Sequence, residues 1–155
     1  MSGFEIPNDK AIREILAFMF GNDLKVSAND STSVGDWHAA TYVGEEDQIV
    51  AVCACDDDFV AYSGSALTMV PSDAAQEMLR DRSFSEVVLA NFHEVMNICS
   101  RLLVSDNSPH LRLGETLLPD AAKAPIDQIT SGARAVCFEV SIPSYGKGNI
   151  AFLVT

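Results

Sequence analysis

The chain has 155 residues and a formal net charge of −12, and hydrophobic residues make up 48% of it. That length suffices for one domain with a real core and is short for two, so we expect a single domain over residues 1–155. The negative charge argues against binding to nucleic acid or anionic membranes, because both are bound mainly through basic side chains. No apolar stretch is long enough to cross a bilayer.

The N-terminal residues and the cysteines indicate the cellular compartment. The sequence MSGFEIPNDK lacks the basic segment and apolar run of a secretory signal. The cysteines Cys53, Cys55, Cys99 and Cys137 lie in apolar segments, and such a chain is not expected to carry a disulfide framework. We therefore expect a cytoplasmic protein with buried thiols. Cys53 and Cys55 point the same way from a strand and could bind metal only with further ligands.

The first half of the chain has the pattern of one helix followed by three strands. The helix begins at Asn8, a good N-cap, and ends at Gly21. Its apolar stripe recurs at helical spacing. The strands are expected at 24–28, 37–43 and 48–55, with a turn-rich segment at 29–36.

The rest of the chain continues with helices and then strands. Helices are predicted at 56–69, 72–80 and 84–103. Strands are predicted at 110–117, 133–142 and 148–154. Ser83 with Glu86 three residues later forms a predicted capping box for the long helix. Residues 119–131 read as a connection with a helical turn at most.

A weak internal sequence similarity indicates that the two halves of the chain arose by duplication. The segment DLKVS at 23–27 resembles HLRLG at 110–114, and each follows a long helix. The residues that correspond at this register are Lys10 with Asn97 and Pro7 with Glu94. The expected fold is an α+β domain with pseudo-duplicated halves, about six largely antiparallel strands and two long helices packed on one face.

The long helix has one face that packing does not require. At about 100° per residue, its apolar side holds Phe84, Val88, Phe92, Val95, Ile98, Cys99 and Leu102. The opposite side holds Glu86, His93, Glu94, Asn97, Ser100 and Arg101. Glu94 and Asn97 lie about 60° apart near the middle of this stripe. An acid and an amide there suit work on a partner molecule, and an ordinary solvated helix face is the alternative interpretation.

Three other positions carry expectations. Asn91 falls on the apolar side of this helix, where a buried amide needs hydrogen-bond partners, expected from the backbone of a neighbouring element. Met69 is expected in the core, and Trp37 fits either the core or an interface. Helix N-capping explains the aspartates at 56–58.

The Glu-x-x-Asn spacing, the order of elements and Pro119 after the next strand resemble the CheX/CheC/FliY superfamily. Its members are bacterial phosphatases that act on the phosphorylated response regulator CheY. In that family the helix motif usually continues to Gly three positions after the Asn, where this chain has Ser100. The family commonly has Asp or Ser four residues before the Glu, where this chain has Ala90. A single motif in the second half looks more like CheX than CheC.

The resemblance implies that the substrate is an aspartyl phosphate on a phosphorylated CheY-like receiver domain. In the family the Asn positions the attacking water and the acid pairs with a lysine of the receiver, which assigns these roles to Asn97 and Glu94. Mg²⁺ belongs to the receiver, so the chain needs no cofactor or metal ligands of its own. His93, Ser100 and Arg101 are expected to contact the partner. A bystander His93 and a surface pairing of Arg101 with Glu94 are the alternatives.

Other readings of the same resemblance differ in activity and assembly. The chain could instead be a non-catalytic receiver-binding or scaffold protein of the same fold, like the related flagellar switch components. A third reading is an interaction domain unrelated to phosphosignalling. Homodimerisation through sheet edges is known in the CheX branch, so the resemblance also allows a homodimer.

Overall fold

The structure is a computed structural model that describes residues 3–29 and 34–155. Part of the predicted turn-rich segment, residues 30–33, lies outside the described residues. The helices are α1 (Asp9–Phe20), α2 (Asp57–Leu67), α3 (Ser72–Asp81), α4 (Glu86–Cys99) and α5 (Pro119–Thr130), with a 3-10 turn at Ser100–Leu103. The strands are β1 (Lys25–Ala28), β2 (His38–Val43), β3 (Ile49–Cys55), β4 (Arg112–Leu117), β5 (Arg134–Ile142) and β6 (Gly146–Val154).

The strands form one antiparallel sheet in the order β1-β5-β6-β3-β2-β4. Two hairpins, β2–β3 and β5–β6, meet at the centre, where Cys53 lies opposite Phe152. Exchanging β1, β2 and β3 with β4, β5 and β6, respectively, gives the same strand order counted from the opposite edge of the sheet. The sheet therefore confirms the expected α+β fold and agrees with pseudo-duplicated halves.

The long helices of the two halves can also be aligned at their C-terminal ends, which gives a register other than the predicted one. The first residue of β1 follows the last residue of α1 by five positions, whereas β4 follows the 3-10 turn by nine. Aligning the helix ends moves the register by four residues. The positions that then correspond are Ala11 with Glu94 and Glu14 with Asn97. Buried positions coincide at both registers, because four residues are about one helical turn: Ile12 aligns with Val95 or Cys99, and Leu16 with Cys99 or Leu103. The first half still has no acid–amide pair there.

Helices cover both faces of the sheet. The larger core lies under α1, α2 and α4, and α2 contacts both of the other helices, so the two long helices share a face as predicted. Alternate residues of β3 point to opposite faces: Cys53 and Cys55 join the larger core, while Val52 and Ala54 join a smaller core under α5. The four cysteines are buried, as predicted. Burial raises the pKa of the Cys55 and Cys99 thiols well above the usual value.

The prediction that residues 119–131 form a connection was wrong, because they form the 12-residue helix α5. Its buried stripe is Ala122, Ile126 and Ile129, which packs on the second face of the sheet. Pro119 occupies the first helical position, where proline is favoured. Pro125 removes one helical hydrogen bond, and packing on the sheet offsets that local cost. Trp37, which fitted core or interface, is half-buried against this smaller core.

The predicted caps of α1 are confirmed, and the predicted cap of α4 was wrong by two residues. Asn8 accepts a hydrogen bond from the Ala11 amide at 2.8 Å, and Gly21 ends α1. The hydroxyl of Ser85, not Ser83, accepts from the first turn of α4, so Glu86 is too early in the helix to complete a capping box. Within the described ranges, no helix is both long and apolar enough to cross a membrane.

Candidate functional site

A close helix crossing holds α4 in place. A Cβ atom added to Gly64 of α2 would lie 2.6 Å from the Val88 carbonyl oxygen and 2.7 Å from the Val88 Cγ1 atom. Only a residue without a side chain allows this approach. On the other side of the crossing, Phe92, Val95 and Met96 are buried in the larger core. The helix is therefore fixed by packing along its inner face.

Two polar anchors set the rotation of α4. The Asn91 side-chain amide donates to the Gly64 carbonyl oxygen at 2.8 Å and to the Thr68 hydroxyl at 2.9 Å. This confirms the prediction that Asn91 binds the backbone of a neighbouring element. The buried Tyr42 hydroxyl of β2 donates to the Met96 carbonyl oxygen at 2.8 Å. The outward face of α4 is thus held in one orientation.

Glu94 and Asn97 lie on that outward face, and both side chains are exposed. Across residues 3–29 and 34–155, neither side chain has a hydrogen-bond or ion-pair partner. Arg101 is also exposed, and it does not pair with Glu94. The helical wheel therefore placed these side chains correctly, and the acid and the amide are free to meet a partner.

The neighbours of the pair are partly engaged within the chain. The His93 ring is exposed, and its Nδ1 atom lies 3.2 Å from the Thr116 hydroxyl of β4. The half-buried Ser100 hydroxyl donates to the Asn97 carbonyl oxygen at 2.6 Å. Ala90 is exposed one turn before Glu94 and offers no polar group to a partner. The position one turn before Glu94 therefore offers no hydrogen bond to a partner, whereas Ser100, one turn after Asn97, carries a hydroxyl.

The acid–amide pair lies on an exposed helix face, outside two clefts that described residues line near the beginning of α4. A cleft of about 620 Å³ lies near the beginning of α4, lined by Asp36, His38, Asp57, Arg82, Phe84, Leu118, Pro119, Asp120 and Ala121. A smaller cleft of about 120 Å³ adjoins it. Neither cleft includes Glu94 or Asn97. Small molecules bind in concave sites, so the pair suits a macromolecular partner.

A charged network at the beginning of α4 was not predicted. His38 Nε2 lies 2.9 Å from one oxygen of Asp57, and Arg82 donates to the other at 3.0 Å. The His38 ring is buried, which lowers its pKa, although the hydrogen bond and charge of Asp57 act in the opposite direction. The ring also packs edge-on against Phe84, with centroids 5.1 Å apart. These partners are far apart in sequence, so no local pattern could indicate them.

One of the aspartates at the beginning of α2 has the predicted capping role. Asp56 is the N-cap, as predicted, because its carboxylate accepts from the Phe59 amide at 2.9 Å. The same carboxylate accepts from the Asn149 backbone amide at 3.0 Å. In the described part of the chain, no three His, Cys, Asp or Glu side chains are grouped to hold a metal ion.

The prediction that Met69 belongs to the core was wrong. Its side chain is 85% exposed, and its backbone φ angle is +60°. α2 ends at Leu67, so Met69 lies in the turn that leads to α3. The helical periodicity of α2 ends before Met69, so it does not direct this side chain toward the core.

Comparisons with known proteins concern the fold. No protein-family model and no curated protein matches the chain. The FliY structure from Thermotoga maritima is similar with a TM-score of 0.57 and 15% identity, over 95% of this chain and 89% of that one. The FliM middle domain from V. alginolyticus has a TM-score of 0.52 and 11% identity, over 94% of this chain and 87% of that one. A CheX–CheY–BeF3–Mg²⁺ complex from Borrelia burgdorferi has a TM-score of 0.44 and 15% identity, over 91% and 90%.

The FliY structure and the FliM middle domain each match most of this chain with a TM-score above 0.5. The chain therefore shares the fold of FliY and of the FliM middle domain, which agrees with the fold that the Glu-x-x-Asn resemblance implied.

Proposed function

We propose that this chain is a phosphatase that hydrolyses the aspartyl phosphate of a CheY-like receiver domain. The observation that carries the proposal is the exposed pair Glu94 and Asn97, which has no side-chain partner among the described residues and lies on a helix whose inner face is fixed by packing. The Glu-x-x-Asn resemblance supplies the substrate class, and the similarity of fold supports that resemblance.

Asn97 positions the attacking water. An aspartyl phosphate already has a good leaving group, so catalysis requires mainly that water lie in line with the scissile P–O bond. The Asn97 amide oxygen accepts a hydrogen bond from the water, and its NH₂ group donates to a second acceptor. The water oxygen bonds to phosphorus while the P–O bond to the aspartyl carboxylate breaks. The carboxylate leaves with the bonding electrons, and the excess proton passes to phosphate or solvent.

Glu94 docks the receiver through a lysine of its active site. The two charges attract over short range, although the overall charge of −12 gives no long-range attraction to a phosphorylated protein. Recognition is therefore local, with Glu94 fixing the distance of Asn97 from the phosphoryl group. Mg²⁺ is bound by the receiver and neutralises the phosphoryl oxygens. His93, Ser100 and Arg101 contact the receiver around this centre.

Replacing Asn97 by Ala tests the assignment. We expect Asn97→Ala to lose at least about 100-fold of the acceleration of phosphate release from a receiver charged with acetyl phosphate, because the water is no longer oriented. The thermal unfolding temperature should not change, since the side chain has no partner in the described chain. Asn107→Ala removes an exposed amide from a loop and serves as the control. Wild-type acceleration in Asn97→Ala would exclude the assigned role.

A scaffold that binds the receiver without hydrolysis is the second candidate. It is favoured by two departures from the family pattern, since Ala90 replaces a polar residue and Ser100 replaces glycine. The same assay separates the two functions when receiver binding is measured beside it. Binding with no acceleration would select the scaffold, and a receiver that fails to bind at all would contradict both.

A further inference from the structure

An exposed methionine lies on the α2 side of α4, one residue after a contact between α2 and α4. The Met69 side chain is 85% exposed. It directly follows Thr68, whose hydroxyl accepts a hydrogen bond from Asn91 at 2.9 Å. Asn91 precedes Glu94 by three residues, which is about 4.5 Å along the helix and about 60° around it. Met69 therefore directly follows a residue that is bonded to α4 about one turn before Glu94.

The backbone holds Met69 in this exposed position. Its φ angle of +60° is unfavourable for a residue with a side chain. On one side, Thr68 is bonded to Asn91. On the other side, Val70 donates to the Ser65 carbonyl oxygen at 2.9 Å and accepts from the Tyr145 hydroxyl at 2.6 Å. Both neighbours are fixed, so the exposure of Met69 is part of the folded structure.

A second exposed apolar residue lies on the outward face of α4. Val87 of α4 is 56% exposed. It precedes Glu94 by two turns and lies about 20° from it on the helical wheel. Ala90 lies between them on the exposed face. Val87 and Ala90 are thus exposed apolar positions before Glu94 on this face of α4, and Ala90 stands where the resembled family commonly has Asp or Ser.

We infer that Met69 and Val87 are the apolar anchors on which the receiver domain docks. The inference rests on the proposed function and adds the surface that positions the receiver. A stable protein interface buries about 800 Å² on each partner, equivalent to a circular patch with a radius of about 16 Å. A receiver centred on Glu94 and Asn97 must therefore cover their immediate surroundings. A flexible, polarisable methionine side chain suits such contact, because it adapts to an irregular partner surface.

The substitution Met69→Asn tests this role without disturbing the turn. Asparagine adopts the left-handed conformation more readily than methionine, so the variant should unfold at the wild-type temperature or above it. The probe is a CheY receiver domain activated with beryllofluoride and Mg²⁺. We expect the Kd of the variant to be about tenfold weaker than that of wild type, the range of an interface anchor. The rate of phosphate release at saturating receiver should stay within about twofold, because the reacting groups are unchanged. Val87→Ser should weaken binding in the same way.

The matched control is Phe18→Ser. Phe18 is 88% exposed on α1, which belongs to the other half of the chain. This variant should bind the receiver as wild type does. Unchanged Kd in Met69→Asn, or an equal loss in Phe18→Ser, would overturn the inference and leave the proposed function standing. If wild type itself binds no receiver, the proposed function fails and the inference falls with it.

Discussion

Asn91 and Asn97 carry the same side chain six residues apart on α4, and their surroundings give them different roles. Asn91 is half-buried, and its hydrogen bonds to Gly64 and Thr68 tie α4 to α2. A buried amide without partners would cost about 1–3 kcal/mol, so that position requires bonding within the chain. Asn97 faces water, which satisfies its amide until a partner displaces it. Only Asn97 is therefore available for chemistry on another molecule.

His38 is the residue whose ionisation most clearly affects stability. Its side chain is 1% exposed and contacts Asp57 on one side and Phe84 on the other. Burial lowers its pKa from the ordinary value of 6.5, so the folded protein keeps the ring neutral at a pH where the unfolded chain begins to protonate it. The unfolded state then binds more protons, and the stability contributed by neutral His38 is lost as the pH falls below 6.5.

We predict that the free energy of unfolding of wild type decreases between pH 6.5 and 5.5 more steeply than that of His38→Gln. One proton limits the difference in slope to about 1.4 kcal/mol per pH unit. Glutamine keeps a donor for Asp57 and does not titrate. Urea unfolding at several pH values measures the two slopes, and parallel curves would show that His38 protonates equally in both states.

At the scale of elements, the fit between α2 and α4 decides how the site is presented. The two helices meet where Gly64 faces Val88, and the Asn91 bonds lie one turn further along α4. Widening this contact would move the inner face of α4 away from the core. The outward face that carries Glu94 and Asn97 would move with it.

Gly64→Ala should therefore destabilise the protein. The added methyl group would overlap the Val88 backbone, and relieving that overlap costs about 1–3 kcal/mol. Gly132→Ala is the matched control, because a Cβ atom at that position meets nothing within 4 Å. Chemical unfolding of both variants measures the effect. If Gly64→Ala is as stable as the control, the two helices separate without cost and do not fix the site.

At the scale of the whole molecule, the sheet should be most stable at its centre. β3 and β6 pair with each other in the middle and are covered by helices on both faces. β1 is an edge strand of four residues, and three of them are exposed. Local opening requires least free energy where few contacts are lost, so protection should decrease from the centre to β1.

Amide hydrogen exchange followed by NMR tests this gradient. We predict that amides of β3 and β6 exchange only through global unfolding, with the slowest rates at Val52 and Phe152. Amides of β1 should exchange through local fraying, at least about 100-fold faster. Equal protection of Val26 in β1 and Val52 in β3 would mean that the sheet opens as one unit, contrary to this prediction.

The sequence by itself determined the features that depend on local geometry. α1 begins after Asn8 and ends before Gly21, because capping involves only near neighbours. The alternation of side chains along a strand placed Cys53 and Cys55 on one side. The exposure of Glu94 and Asn97 followed from the helical period alone. The exposure of the acid–amide pair could therefore be predicted without any knowledge of tertiary contacts.

Other features were decided only by the tertiary structure, because they depend on residues far apart in the chain. α5 is a helix because the second face of the sheet stabilises its apolar stripe in spite of Pro125. Ser85 replaces Ser83 as the cap because Phe84 packs on His38, a residue of another element. Met69 is exposed because Asn91 and Tyr145 hold the residues on either side of it. The helical and strand periods of the sequence contain no information on such contacts, so the surroundings of the site could not be predicted from them.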